Sequence, residues 1–100
     1  MGWAAGHIDL LKEGMTVSFR PRGGSMAPKI NSGDLVTVVP AAIDDVKKGD
    51  IVLCKVRGRE YLHLVKARRE KSVLIGNNKG RTNGWTSAVF GKVTQVVGQA

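Results

Sequence analysis

Two side chains in this sequence could hydrolyse a peptide bond together: a serine behind a pair of glycines and a histidine inside an apolar strand. The stretch Arg22-Gly23-Gly24-Ser25-Met26-Ala27-Pro28 sets Ser25 on a turn that Pro28 stiffens on its outgoing side. A serine hydroxyl becomes a useful nucleophile only when a base takes its proton, and the oxyanion it creates needs backbone N–H donors nearby. The Gly23-Gly24-Ser25 turn meets the second need, because a backbone without Cβ atoms can turn sharply and present its amides near Ser25 Oγ. For the first need the chain offers two histidines, His7 and His63. His63 lies in Glu60-Tyr61-Leu62-His63-Leu64-Val65-Lys66, where strand alternation sends Leu62 and Leu64 toward a core and Tyr61, His63 and Val65 to the other face. An ordinary imidazole, with a pKa of about 6.5, is available as a base near neutral pH. Lys66 competes for the role but would have to shed its charge by burial. It opens a run of cations and alternates to the face opposite His63. Met26 and Tyr61, beside the pair, are candidates for substrate pockets. Pattern alone leaves open a plain loop serine and a strand histidine without a task.

The elements that must bring Ser25 and His63 together read as strands. Met15 to Arg20 alternates and stops at Pro21, and Leu35 to Val39 is β-branched and stops at Pro40. Ile51 to Val56 and Glu60 to Lys66 flank Arg57-Gly58-Arg59 and form a hairpin. Ser72 to Ile75 is cut off by Gly76-Asn77-Asn78, and a last strand runs from Val89 or Phe90 to Val97. Only Ile8 to Glu13 and Ala41 to Asp45 have helical character. The fold expected is all-β, with residues 1–14 as a mobile N-terminal segment carrying His7 and residues 15–100 as one domain. Gly-Asp precedes a β-branched run twice, at Gly33-Asp34 and Gly49-Asp50. Glycine gives such a turn its positive φ and the aspartate caps its amides.

A chain of 100 residues has room for one modest core, and its 42% apolar content is that of a globular protein. No stretch nears the roughly 20 apolar residues of a membrane span. The N-terminus lacks the basic start and apolar run of a secretory signal, so a cytoplasmic location is expected. The single cysteine, Cys54, rules out an internal disulfide and a multi-thiolate metal site, and its apolar neighbours make it a buried side chain. No metal and no cofactor is expected. The net charge of +8 includes a basic cluster at Arg68, Arg69 and Lys71 that would attract anionic partners. No zinc-finger or helix-turn-helix pattern accompanies it, so nucleic acid is an open but unsupported partner.

Four segments in order carry a more specific signal. GGSMAPKINSGDLVTV, KGDIVLCKV, EYLHLVKARRE and VLIGNNKG, closed by VFGKVTQVVG, resemble the boxes of the serine peptidases that include LexA-type self-cleaving repressors and type I signal peptidases. The resemblance runs from about Thr16 to Gly98. It implies a fold of short, coiled antiparallel strands and Ser25 as the nucleophile. His63 stands where bacterial members carry lysine and where archaeal and endoplasmic-reticulum signal peptidases carry histidine, so a serine-histidine variant is implied, with the Ser25 amide in the oxyanion hole. Asn77 takes the place of the acidic residue near the Gly-Asp-Asn box and would orient the imidazole without lending it charge. Peptide or protein substrate would lie as an extended strand beside a sheet edge. Ala5-Gly6 matches the Ala-Gly bond that repressors of this family cut in themselves, which makes self-cleavage an alternative to cleavage in trans. The function expected is therefore a small soluble serine endopeptidase or a degenerate relative. The alternative is a non-catalytic module that binds nucleic acid or an acidic protein through its basic surface.

Overall fold

The β-branched runs between glycine and proline punctuation become strands, and their pairing decides what can reach Ser25. The computed structural model describes residues 2–98; Met1, Gln99 and Ala100, parts of the expected segments 1–14 and 15–100, lie outside the described residues. In chain order the strands are β1 (Val17–Phe19), β2 (Leu35–Pro40), β3 (Ile51–Val56), β4 (Arg59–Arg68), β5 (Val73–Gly76), β6 (Thr82–Thr86) and β7 (Val89–Val97). They form one antiparallel sheet in the order β1-β2-β7-β3-β4-β5-β6. Among the described residues, helix is confined to α1 (Ala5–Lys12) and a 3-10 turn at Ile43–Asp45. The all-β class read from the sequence is the class observed. β6 is an addition, since Thr82-Asn83-Gly84-Trp85-Thr86 lacks apolar alternation and forms a strand only through its pairing with β5.

Both faces of the sheet are covered, where the sequence suggested one core. Leu53 and Leu62 pack with Ala4, Ile8, Leu11, Val36 and Val38 on one side. Val52, Cys54 and Val56 pack with Val65, Val73, Ile75 and Val89 on the other. A strand buried on both faces reads as a continuous apolar run, which is how Ile51 to Val56 looks. One expectation changes as a result. Leu62 and Leu64 face the first core as anticipated, but the other face is covered too: Val65 is buried in the second core, Tyr61 packs against it, and His63 between them is half-buried.

The N-terminal segment, expected to be mobile, is instead packed into the domain. Ala4, Ile8 and Leu11 recur at helical spacing and are all buried against the first core, which α1 roofs. Trp3 and His7 rest on Phe19 of β1. The helix closes in a Schellman turn, with Gly14 N–H on Leu11 O and Met15 N–H on Leu10 O, both at 3.0 Å. Its other end is capped from β4: the Ala4 N–H donates to Glu60 Oε1 at 2.7 Å. A carboxylate at a helix N-terminus meets unpaired N–H groups and the positive end of the dipole. The Gly-Asp turns are built as their composition suggests, with Gly33 and Gly49 at positive φ. Asp34 accepts from the Asn31 N–H at 2.8 Å, and Asp50 from the Lys47 N–H at 3.0 Å.

The basic cluster is divided by the fold. Arg68 Nη1 donates to Ile43 O at 2.6 Å and to Val46 O at 2.9 Å, so its guanidinium ties the 3-10 turn to the end of β4 and does not form an open binding surface. Its ion pair with exposed Asp44, at 3.8 Å, adds little to that. Arg69 lies over the Trp85 ring, 3.9 Å from its centroid, and Lys71 is exposed. Arg68→Ala is therefore expected to lower unfolding stability by about 1–3 kcal/mol, because two carbonyls lose a shared charged donor. Asp44→Ala should change it by less than about 0.5 kcal/mol. Urea midpoints of the two variants check this, and equal, small shifts would contradict it.

Candidate active site

β4 is longer than its neighbour β5, and the difference leaves a stretch of edge unpaired. The ladder with β5 begins at Leu64↔Gly76, so among the described residues Arg59 to His63 pair with β3 alone. Val65 N–H donates to Asp50 O at 2.8 Å on the β3 side. By alternation, the backbone groups of Glu60 and Leu62 point to the open side. The Ser25 turn comes to this edge. Gly23 holds a φ of 106°, a region that residues with a Cβ rarely enter. Gly24, its neighbour, has no such conformation. Met26 and Ile30, both buried in the first core, anchor the turn while Ser25 stays exposed. From the other side the β5–β6 turn holds it: Asn78 N–H donates to Ser25 O at 2.9 Å, and Asn78 Nδ2 to Ala27 O at 3.0 Å.

Two side chains 38 positions apart meet there, with Ser25 Oγ 3.2 Å from His63 Nε2. The other ring nitrogen, Nδ1, lies 2.9 Å from Asn83 Oδ1 on β6. An amide oxygen only accepts, so Nδ1 carries the ring proton and Nε2 presents a lone pair to the serine hydroxyl. The Tyr61 ring stacks on the imidazole at a centroid distance of 5.0 Å and an interplanar angle of 29°. Burial lowers the His63 pKa from its usual 6.5, and the hydrogen bond to Asn83 partly opposes that by favouring the protonated ring. The ring is neutral at pH 7.

Other residues singled out in the sequence take different places. Asn77, expected to orient the imidazole, turns its Oδ1 onto the Lys79 and Arg81 amides at 2.8 and 2.9 Å, closing the β5–β6 turn. Asn83, which the sequence reading missed, takes the position beside His63, and an Asn-Gly pair without apolar alternation gave no strand signal to find it by. Lys66 makes no hydrogen bond to Ser25 among the described residues; its stem lies along Gly76 of β5. Met26 and Tyr61 both line the cleft beside the dyad, although Met26 is also a core residue. Burial pushes the Cys54 thiol up to about 12, so it stays protonated and inert. The Ala5-Gly6 bond lies inside α1, where its peptide groups serve the helix and are not extended as a strand-bound substrate would be. No helix among the described residues is long and apolar enough to cross a membrane.

Residues 6–93 match the family model described as Peptidase S24-like, and the chain belongs to that family. No curated protein matches the sequence.

The His63 ring is expected to titrate below 6.5, read from its Cε1 proton by NMR across a pH series. Asn83→Ala, which removes the hydrogen bond favouring the charged ring, should lower that value further; a midpoint above 6.5 in either protein would contradict the site geometry. As pH falls, the unfolded chain takes up this proton before the folded one does. The ring's contribution to stability is thus complete above about 6.5 and declines as pH drops through the folded value.

Proposed function

From this family membership and the 3.2 Å contact between Ser25 Oγ and His63 Nε2, we propose that the protein is a serine endopeptidase working through a Ser25–His63 dyad. The contact carries the reading, because it joins an exposed hydroxyl to the unprotonated nitrogen of a neutral imidazole. Ser25 Oγ attacks the scissile carbonyl while Nε2 takes its proton. The tetrahedral oxyanion draws on the Ser25 N–H, which has no hydrogen-bond partner among the described residues. His63 then returns the proton to the departing amine, leaving an ester on Ser25. A water molecule, deprotonated by the same nitrogen, attacks that ester and restores the hydroxyl. Asn83 holds the ring in the productive tautomer throughout, without the charge by which a carboxylate would stabilise the imidazolium.

The substrate is an extended peptide that pairs with the open stretch of β4, where Leu62, next to His63 in the strand, turns both backbone groups to the open side. Cleavage in trans fits this edge better than cleavage at Ala5-Gly6, since that bond would first require α1 to unwind and leave the first core.

A fluorophosphonate probe is expected to acylate the native protein at Ser25. Ser25→Ala should remove labelling altogether, and His63→Ala should slow it by about 100-fold or more, the usual contribution of a general base. Intact-mass spectrometry of the three proteins decides, and equal labelling of all three would overturn the mechanism.

A further inference from the structure

Beside the dyad lies a cleft of about 430 Å³, small by the standard of ligand sites but ample for large side chains. Ser25 and His63 line it together with an aromatic group: His7 stacks on Phe19 at 4.3 Å and 18°, and Trp3 meets Phe19 at 5.7 Å. Met26, Ile30 and Leu62, all buried members of the first core, add apolar lining. The charged groups along the cleft are largely spoken for. The Glu60 carboxylate accepts the Ala4 N–H at 2.7 Å, and Arg20 Nη1 donates to Gly33 O at 2.9 Å. What remains for a ligand, besides the dyad, exposed Arg22, the His7 imidazole and the Tyr61 ring with its hydroxyl, is mostly apolar surface.

Trp3 makes the case sharper. Its side chain is 54% exposed, yet it is held in place by its contact with Phe19 and by an indole N–H that reaches Glu60 O at 3.4 Å. A large ring fixed at the wall of a cleft with half its surface uncovered offers area that only an apolar partner would bury. A peptide strand laid on the open edge of β4 would send alternate side chains to the face shared by Glu60 and Leu62, which is the cleft side.

We propose that this cleft is a subsite for an aromatic or long aliphatic side chain of the peptide, with Trp3 as its specificity-determining residue. The inference rests on the peptidase reading for its substrate but not for its test. The N-terminal segment thus completes the substrate site: Trp3 is carried to the cleft by the packing of α1 and by the Glu60 cap.

The test uses soluble alanine-based decapeptides in which one phenylalanine is walked along the sequence, with binding to full-length Ser25→Ala protein followed by fluorescence anisotropy. One placement is expected to bind about tenfold or more tighter than the all-alanine parent, the gain from burying a phenyl ring. Adding Trp3→Ala should reduce that ratio to about threefold or less, and Trp3→Phe should keep most of it. Circular dichroism checks that α1 persists in each variant. A flat walk, or a preference that survives Trp3→Ala with α1 intact, would overturn the subsite. Turnover of the same peptides by the native protein reports on catalysis separately, so selective binding without cleavage would sink the peptidase reading and leave the subsite standing.

Discussion

The site exists because β4 outruns its partner. β4 spans 10 residues and β5 only 4, so the sheet has a gap beside Arg59 to His63 into which another segment can come. An unpaired strand edge is a hazard in most sheets and is usually covered or blunted. Here the Ser25 turn fills one side of the gap, the β5–β6 turn holds it through Asn78, and Trp3 and Ala4 reach the far end through Glu60. Each of these segments is anchored in the first core by a buried side chain or pinned by a backbone hydrogen bond. The 3.2 Å approach of Ser25 to His63 is thus the consequence of a strand-length mismatch, held from three directions.

The same architecture sets the electrostatics. His63 sits between Tyr61 and Val65 on a face that is itself part of a core, and its ring loses enough solvent to be neutral at physiological pH. Complete burial would do something different, as Cys54 shows two strand positions from the His63 partner Val52: its thiol is pushed up to about 12 and is silent. The gap at the β4 edge is what keeps His63 partly wet and within reach of a hydroxyl. Asn83 then chooses which nitrogen faces that hydroxyl, from a strand that contributes little to either core.

Much of this was legible in the sequence, and the failures share a cause. Six strands are legible as apolar or β-branched runs set off by proline or by glycine-containing turns, and Ser25 and His63 stand out by residue type and local setting. What was lost depended on contacts remote in the chain. β6 carries no alternation of its own, so neither the strand nor the orienting Asn83 on it is visible in the sequence, and the box resemblance points to Asn77 instead. The helical character at Ile8 to Glu13 is too short to be stable alone; burial of Ala4, Ile8 and Leu11 against the sheet, with a cap from Glu60, supplies what propensity does not. Alternation places Tyr61, His63 and Val65 on one face but cannot reveal that this face is covered too. Arg68 looked like surface charge because the carbonyls it serves lie more than 20 positions earlier.

The central claim is that a neutral imidazole offers its bare Nε2 to the Ser25 hydroxyl while Nδ1–H is held by Asn83. Long-range nitrogen–proton NMR of the histidine rings, recorded at pH 8, reads the tautomer directly. The account predicts that His63 shows a protonated Nδ1 and an unprotonated Nε2, and that Asn83→Ala erodes this preference. A ring protonated at Nε2, or one averaging freely between tautomers in the native protein, would contradict it.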